Sequence, residues 1–126
     1  DYFCALLKHP VAIELLAKTS PARAGREHEV FCELPFAVRE GDRVLTGTID
    51  RLVIELKDGK PCGAEVIDYK SDRFSGPVEE LLQKKTDFYR PQLAAYKRIA
   101  ARLAGLDITR VTGKLFFLDV HRIVEV

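Results

Sequence analysis

The sequence has few cysteines, and their spacing is not that of a metal cluster. Cys4, Cys32 and Cys62 are scattered without a Cys-x-x-Cys pair. This argues against a zinc or iron–sulfur cluster and favours a reducing compartment. No apolar run approaches the length of a membrane span, and no signal peptide is recognisable. We therefore expect a cytoplasmic protein without a membrane segment.

An excess of one charge is also missing. The 126 residues are 47% hydrophobic and 31% charged, with a net charge of +1. That is enough for one globular domain with its own core and too little for two. A near-neutral chain neither favours nor excludes nucleic acid, because a local basic groove can coexist with acidic metal ligands. Since the chain begins at Asp1, we expect residues 1–126 to be one domain of a larger protein.

The strongest local pattern is a β-hairpin. Two runs rich in β-branched residues, 44–56 and 62–70, flank a turn at 57–61. The turn contains Asp58-Gly59, a dipeptide typical of tight hairpin connections when apolar runs flank it.

The hairpin is expected to bring two carboxylates together. Asp50 shares the apolar even-numbered face of the first strand, and Asp68 shares a face with Lys70 on the second. Asp50 and Asp68 are each nine residues from Gly59. An odd-length loop or a bulge sets them side by side, whereas a two-residue loop turns one of them to the other face. We predict an odd loop or a bulge.

Two adjacent carboxylates require a positive partner. Burying like charges side by side is costly unless a cation or a basic side chain lies between them. Asp50 and Asp68 offer hard oxygen ligands suited to Mg²⁺, and Lys70 can reach the same place. This is the chemistry of metal-assisted attack by water on a phosphodiester. The competing interpretation is that these strand-end charges are simply solvated.

A further strand is predicted ahead of the hairpin. Residues 27–38 alternate between the two faces of a strand and complete a three-stranded antiparallel meander. Glu33 on this strand could hold a metal-bound water, or it could be an ordinary solvated residue. The predicted faces are Val30, Cys32, Leu34, Phe36 and Val38 on one side, and Glu29, Phe31 and Glu33 on the other.

Helices are expected on both sides of the meander in the sequence. Proline lacks a backbone N–H, so Pro10 would restart the first helix and Pro91 would fit only in the first turn of the main one. Gly105 is expected to end the main helix. The remaining predicted elements are helices at 1–17, 78–85 and 87–103 and strands at 111–118 and 123–126.

The main helix carries a polar residue beside its apolar stripe. Gln92 falls on the same side as Tyr89 and Tyr96, facing the sheet. A glutamine there needs a hydrogen-bond partner, which ordinary packing does not supply. For the tyrosines, core packing is the competing interpretation, and we favour it for Tyr96. The predicted apolar stripe is Leu93, Tyr96, Ala100 and Leu103.

Four blocks occur in an order and spacing that resemble a known family. They are residues 33–36 (ELPF), 47–50 (GTID), 66–72 (VIDYKSD) and 89–96 (YRPQLAAY). Together they resemble the C-terminal nuclease domain of the RecB and AddA helicase–nucleases, a branch of the PD-(D/E)xK superfamily. The likeness covers most of the chain, 33–118.

The resemblance implies a fold and a metal site. The fold would be a restriction-endonuclease-like α/β core: a three-stranded antiparallel meander, then a helix and a further strand, with helices flanking the sheet. Asp50 and Asp68 would ligate Mg²⁺, or Mn²⁺ in its place. Lys70 would orient or activate the attacking water, and Glu33 would assist at the metal, usually through water.

The resemblance also implies a substrate and partners. Gln92, with Tyr89 and Tyr96, would belong to a motif that touches the DNA backbone or the catalytic residues. The domain would be a DNA exonuclease acting in DNA-end processing and recombinational repair. Its substrate would be single-stranded DNA, delivered by a helicase domain or subunit.

The chain departs from this branch ahead of the first strand. Members usually carry a histidine there, on a helix, and it contributes to the metal site. His9 lacks the expected Gly-x-x-His context. We therefore expect that helix to lie before Asp1.

Two other functions are compatible with the same residues. A domain of this fold could grip DNA or a partner protein without cutting, although intact Asp50, Asp68 and Lys70 argue against a retired site. Alternatively, the three residues could form a buried salt-bridge cluster in a structural or small-ligand domain. That cluster would fold tightly without a divalent ion and would show no dependence on DNA.

Overall fold

The computed structural model describes residues 26–126, which form a five-stranded mixed sheet and one long helix. The spatial order of the strands follows the sequence, and the first three form an antiparallel meander. The strands are β1 (Arg26–Glu40), β2 (Arg43–Lys57), β3 (Lys60–Lys70), β4 (Val111–Phe117) and β5 (Arg122–Glu125), and the helix is α1 (Val78–Ala104).

The helix is a crossover between two parallel strands. β4 pairs parallel to β3, and β5 turns back to pair antiparallel with β4. Parallel neighbours need a long connection, which α1 and a short 3₁₀ helix (Ile108–Arg110) provide. The predicted restriction-endonuclease-like order of meander, helix and further strand is confirmed. The helix predicted at residues 1–17, with its restart at Pro10, lies outside the described residues.

One face of the sheet packs against α1 to form the main core. Apolar side chains from the three central strands meet the buried side of the helix, and each contributes about 1.5–3 kcal/mol by leaving water. The fully buried members of the core are Ile49, Leu52, Val66, Leu93, Ile99, Ala100, Leu115 and Phe117.

The β2–β3 hairpin contains the bulge that the spacing of the aspartates predicts. Its turn is the two residues Asp58 and Gly59. The register shifts after Glu55, so that Cys62 on β3 has no partner of its own. An inserted residue of this kind changes which residues lie opposite one another. The bulge therefore compensates for the two-residue turn.

Both β1 and β2 lose their simple alternation where they pass the site. Phe31 pairs with Leu52 and Leu34 pairs with Ile49, and Leu52 and Ile49 both belong to the main core. Positions three apart cannot share a face in a regular strand. Glu33 has a φ of 50°, in the left-handed region, and interrupts β1 there. The predicted faces of β1 are therefore wrong before Glu33, because Phe31 lies on the side of Leu34.

The helix is one continuous element instead of the two predicted ones. α1 runs for 27 residues with Pro91 inside it, so the prediction that Pro91 lies in a first turn is wrong. A proline in a helix interior removes one hydrogen bond, here to the Asp87 carbonyl, at a cost of about 3 kcal/mol. Burial of Leu82 and Leu93 on either side offsets that cost. Within residues 26–126 no helix is long and apolar enough to cross a membrane.

The end of α1 is partly as predicted. Gly105 caps the helix in a left-handed conformation, with φ at 67°. Leu93 and Ala100 are buried as expected from the stripe, whereas Leu103 is 52% exposed. The prediction for Leu103 is therefore wrong, because Ala101 and Ala104 are the residues of the last turn that pack against the core.

Candidate active site

Asp50 and Asp68 meet where β2 and β3 separate. The described pairing of these strands ends at Arg51 and Ile67. Asp50 is the next residue of β2, and its Oδ2 accepts at 2.8 Å from the backbone N–H of Tyr69, two residues beyond Ile67. The Asp50 carboxylate thus takes the place of a strand neighbour and lies beside the Asp68 carboxylate. Asp68 itself is only 5% exposed.

Burial and crowding change the acidity of Asp68. Loss of solvent around the carboxyl, followed by the neighbouring Asp50, raises the pKa of Asp68 to about 6. The Lys70 ammonium opposes this increase in pKa but does not cancel it. The pair therefore carries negative charge that the protein alone does not fully compensate.

One oxygen of Asp68 is poised for a further positive partner. Lys70 Nζ lies 2.8 Å from Asp68 Oδ2, yet this buried oxygen has no hydrogen-bond partner. The contact is an ion pair without hydrogen-bond geometry. A buried carboxylate oxygen whose close partner is one ammonium without good hydrogen-bond geometry, next to a second carboxylate, fits a hard cation such as Mg²⁺ or Mn²⁺.

Two carboxylates, those of Asp50 and Asp68, meet at this point. Within residues 26–126, no group of three or more Asp, Glu, His or Cys side chains is placed to hold a metal ion. Glu33 lies on β1 opposite Asp50, at a position flanked by β1–β2 residue pairs on both sides. Its side chain is exposed. Mg²⁺ keeps several waters and is commonly held by one or two carboxylates, so Asp50 and Asp68 suffice in number. A role for Glu33 through water stays a prediction.

Lys70 is held from three sides. Its ammonium donates to Gln92 Oε1 at 2.7 Å and ion-pairs with Asp68. It also lies 4.0 Å from the centre of the Tyr89 ring, a cation–π contact. These contacts fix the charge at the edge of the carboxylate pair. Gln92 therefore has a hydrogen-bond partner, as predicted, but its side chain is exposed and does not lie in a buried stripe.

Tyr96 continues this contact chain toward β1. Gln92 Nε2 donates to the Tyr96 hydroxyl at 3.3 Å, and the Tyr96 ring meets the Phe36 ring edge-on at 5.6 Å. Gly47 makes room for this pair, because a Cβ there would lie 2.8 Å from Phe36 Cζ. Burial, then the charges of the two aspartates, raises the pKa of Tyr96. The hydroxyl therefore stays protonated.

Tyr89 has a partner, Asp72, that the sequence pattern did not predict. The Tyr89 hydroxyl donates to both Asp72 oxygens, at 2.8 and 2.9 Å. Loss of solvent and the Asp72 carboxylate raise the pKa of Tyr89 to about 12. Lys85 also contacts Asp72, at 3.4 Å. The sequence signal was that Asp72 ends the 66–72 block, although it lies in the loop after β3 and not on the strand.

The arrangement defines a class of protein. A carboxylate pair at the end of two sheet strands, with a lysine held against it, is suited to metal-assisted hydrolysis of phosphodiesters. A profile of the PD-(D/E)XK nuclease superfamily matches residues 5–125, and the chain belongs to that superfamily. Membership indicates nuclease activity in general, and such nucleases typically use divalent metal ions. A search of curated proteins finds no match.

We expect Gln92→Leu to separate stability from cleavage. The leucine loses the hydrogen bond to Lys70 but needs no polar partner, so the melting temperature should stay the same or rise. DNA cleavage should fall about tenfold or more, the size of losing a hydrogen bond to a charged group. Melting curves and initial cleavage rates, measured on the same preparation, check this.

Gln83→Leu is the matched control for this variant. Gln83 lies on the same helix, is exposed, and bonds only Asp87 among the described residues. Its replacement should leave cleavage unchanged. A Gln92→Leu protein that melts early and cuts in proportion to its folded fraction would show that Gln92 is structural.

Proposed function

We propose that this chain is a Mg²⁺-dependent DNA exonuclease domain of the RecB/AddA type. The observation that carries the proposal is the meeting of Asp50, Asp68 and the ammonium of Lys70 at one point of the sheet. The uncompensated negative charge of the two carboxylates favours a bound cation. The ordered blocks that resemble the helicase–nucleases support the narrower assignment.

Each residue has a distinct part in the proposed reaction. Asp50 and Asp68 would hold the divalent ion, which supplies Lewis-acid polarisation of a phosphate oxygen when bound. Lys70 would place its positive charge beside the scissile phosphate and orient the attacking water. Gln92 would keep the Lys70 ammonium at that point through their 2.7 Å hydrogen bond. Such fixed placement avoids reorganisation during the reaction.

The proposed setting is DNA-end processing and recombinational repair in the cytoplasm. The substrate would be single-stranded DNA, and a helicase domain or subunit of the same assembly would deliver it. Residues 1–126 would be the nuclease domain of that larger protein. These parts of the proposal rest on the resemblance to RecB and AddA.

The direct test is cleavage of labelled single-stranded DNA. Linear DNA should be shortened with Mg²⁺ or Mn²⁺ and left intact with EDTA, whereas a circular single strand should resist an exonuclease. Cleavage of the circle would replace the exonuclease assignment by an endonuclease. Tight DNA binding without any cutting under all metal conditions would instead support the catalytically silent alternative.

We expect metal affinity to fall in mild acid. The cation binds the ionised carboxylate, and the pKa of Asp68 is raised to about 6. A proton therefore competes with the metal below that pH, and the metal affinity should drop about fivefold between pH 6 and pH 5, and about tenfold between pH 8 and pH 5. Titration with Mn²⁺ followed by calorimetry at several pH values measures this. If the Mn²⁺ affinity did not change between pH 8 and pH 5, Asp68 would not be a metal ligand.

A further inference from the structure

The aromatic side chain of Phe88 is left in solvent next to the candidate site. Phe88 is 76% exposed, more than the other large hydrophobic residues that lie on the surface of residues 27–126. Its ring meets the Tyr89 ring edge-on at 5.1 Å, and that Tyr89 ring carries the Lys70 ammonium. The exposed phenyl group is therefore one aromatic contact away from the proposed catalytic lysine.

Phe88 belongs to an exposed row on α1. Lys84, Phe88 and Gln92 follow one another at intervals of four residues, and all three are exposed. Side chains at this spacing lie one above the other on a helix, about one turn or 5.4 Å apart. The row ends at Gln92, which bonds Lys70. Starting at the candidate site, the row therefore presents first the Gln92 amide, then the Phe88 ring and then the Lys84 ammonium.

The charge around this row favours a polyanion. Residues 84–92 contain three basic residues and one acidic residue. Asp87 pairs with Arg90 at 3.4 Å, and Lys85 pairs at 3.4 Å with a carboxylate of the loop before α1, so the charge left over is that of Lys84. Among the described residues Lys84 forms no ion pair, so its ammonium is available to a phosphate.

We propose that Phe88 is a positioning residue that stacks on an unpaired base of the substrate strand beside the scissile phosphate. Lys84 would contact a backbone phosphate one step further along the strand. This inference rests on the proposed nuclease function and deepens it, because it assigns a surface for the single strand. Because the row is connected to Lys70 through Gln92, the proposed path of the strand runs along α1 away from Lys70.

The proposed contact selects single strands for a physical reason. A base within a duplex is already stacked on its neighbours and paired across the helix, so its face is closed to an external ring. An unpaired base offers that face, and stacking on an aromatic side chain strengthens binding about fivefold to a hundredfold per base. The contact tolerates any base, which suits a nuclease without sequence preference.

Binding to two matched oligonucleotides tests the proposal. Oligothymidylate and an abasic strand of the same length share a backbone but differ in bases, and fluorescence anisotropy in EDTA reports binding without cleavage. Phe88→Ala should weaken binding of oligothymidylate about tenfold and leave the abasic strand unchanged. Phe88→Trp should restore binding, and Lys84→Ala should weaken both strands.

Controls separate this inference from folding and from the nuclease proposal. Val44→Ala removes another exposed side chain, 61% exposed on β2, and should change neither affinity. Phe88→Ala should melt with the wild type, since the ring is exposed. Equal loss on both strands, unchanged binding, or a shift in oligomeric state on Phe88→Ala would overturn the inference. Wild-type protein that binds through Phe88 yet never cuts would overturn only the nuclease activity.

Discussion

Lys70→Ala should remove most DNA cleavage while leaving folding and DNA binding nearly intact. The ammonium is fixed by Asp68 and Gln92, at 2.8 and 2.7 Å, so its charge sits at one defined place beside the carboxylates. Removing one such electrostatic stabiliser typically lowers turnover about a hundredfold or more. Binding depends on many contacts along the strand and should change by less than about threefold. Single-turnover cleavage and anisotropy measure the two effects separately.

Lys114→Ala is the matched control for this experiment. Lys114 lies on the neighbouring strand β4 and pairs with Glu65 at 2.9 Å, with a side chain 18% exposed against 14% for Lys70. Both variants delete a half-buried, ion-paired strand lysine, but only one of them lies at the carboxylate pair. If Lys70→Ala kept activity within a few-fold of the control, the proposed role of Lys70 would be refuted.

The meeting of the two aspartates was predictable because strand geometry is strongly periodic. Asp50 and Asp68 are equally far from Gly59, and only an odd loop or a bulge makes them neighbours. The bulge at Cys62 supplies the required residue. Periodicity also indicated Gln92 as a residue that needs a partner, and in the structure it does bond Lys70, although its side chain is exposed and not packed in the stripe.

The faces of β1 were not predictable from alternation. A single backbone angle at Glu33, φ at 50°, moves Phe31 to the side of the main core. Glutamate is not a residue that signals left-handed backbone, which glycine and asparagine favour. The residues around Glu33 therefore carry no sequence signal for this angle.

The continuous helix shows a second limit of local rules. Pro91 is an unfavourable residue inside a helix, and the rule placed a boundary near it. In the structure the boundary is absent because Leu82 and Leu93, on opposite sides of Pro91, pack against the same sheet. The hydrogen bond from Tyr89 to Asp72 was not predictable from local sequence either, because the two residues are 17 apart and a loop separates them.

Asp68→Asn should abolish cleavage and yet stabilise the metal-free protein. At neutral pH the ionised carboxylate is disfavoured in the fold, which is why the pKa of Asp68 is raised to about 6. A raised carboxyl pKa means that stability is lost as pH rises from about 4 to about 6. Asparagine has nearly the same shape without the charge, so it avoids that loss. In EDTA at pH 8, melting should rise by roughly 2–8 °C.

The same variant should lose its response to metal. Mg²⁺ or Mn²⁺ at millimolar concentration should raise wild-type melting by binding only the folded state, but should leave Asp68→Asn unchanged. Cleavage should fall about a hundredfold or more, because the cation supplies several kcal/mol of transition-state stabilisation. Asp119→Asn is the control, because Asp119 is an exposed carboxylate that accepts from the Phe74 N–H at 2.8 Å. This variant should keep both the metal-induced rise in melting temperature and the cleavage rate.

The pH dependence of this pair of proteins gives the sharpest outcome. At pH 4 Asp68 is protonated in the fold, so the wild type and Asp68→Asn should melt nearly together in EDTA. Their difference should open between pH 4 and pH 6 and stay constant above that range. Should the wild type instead be the more stable protein at pH 8 without metal, the ion pair with Lys70 would outweigh burial and repulsion. The trio would then be a structural salt-bridge cluster instead of a metal site.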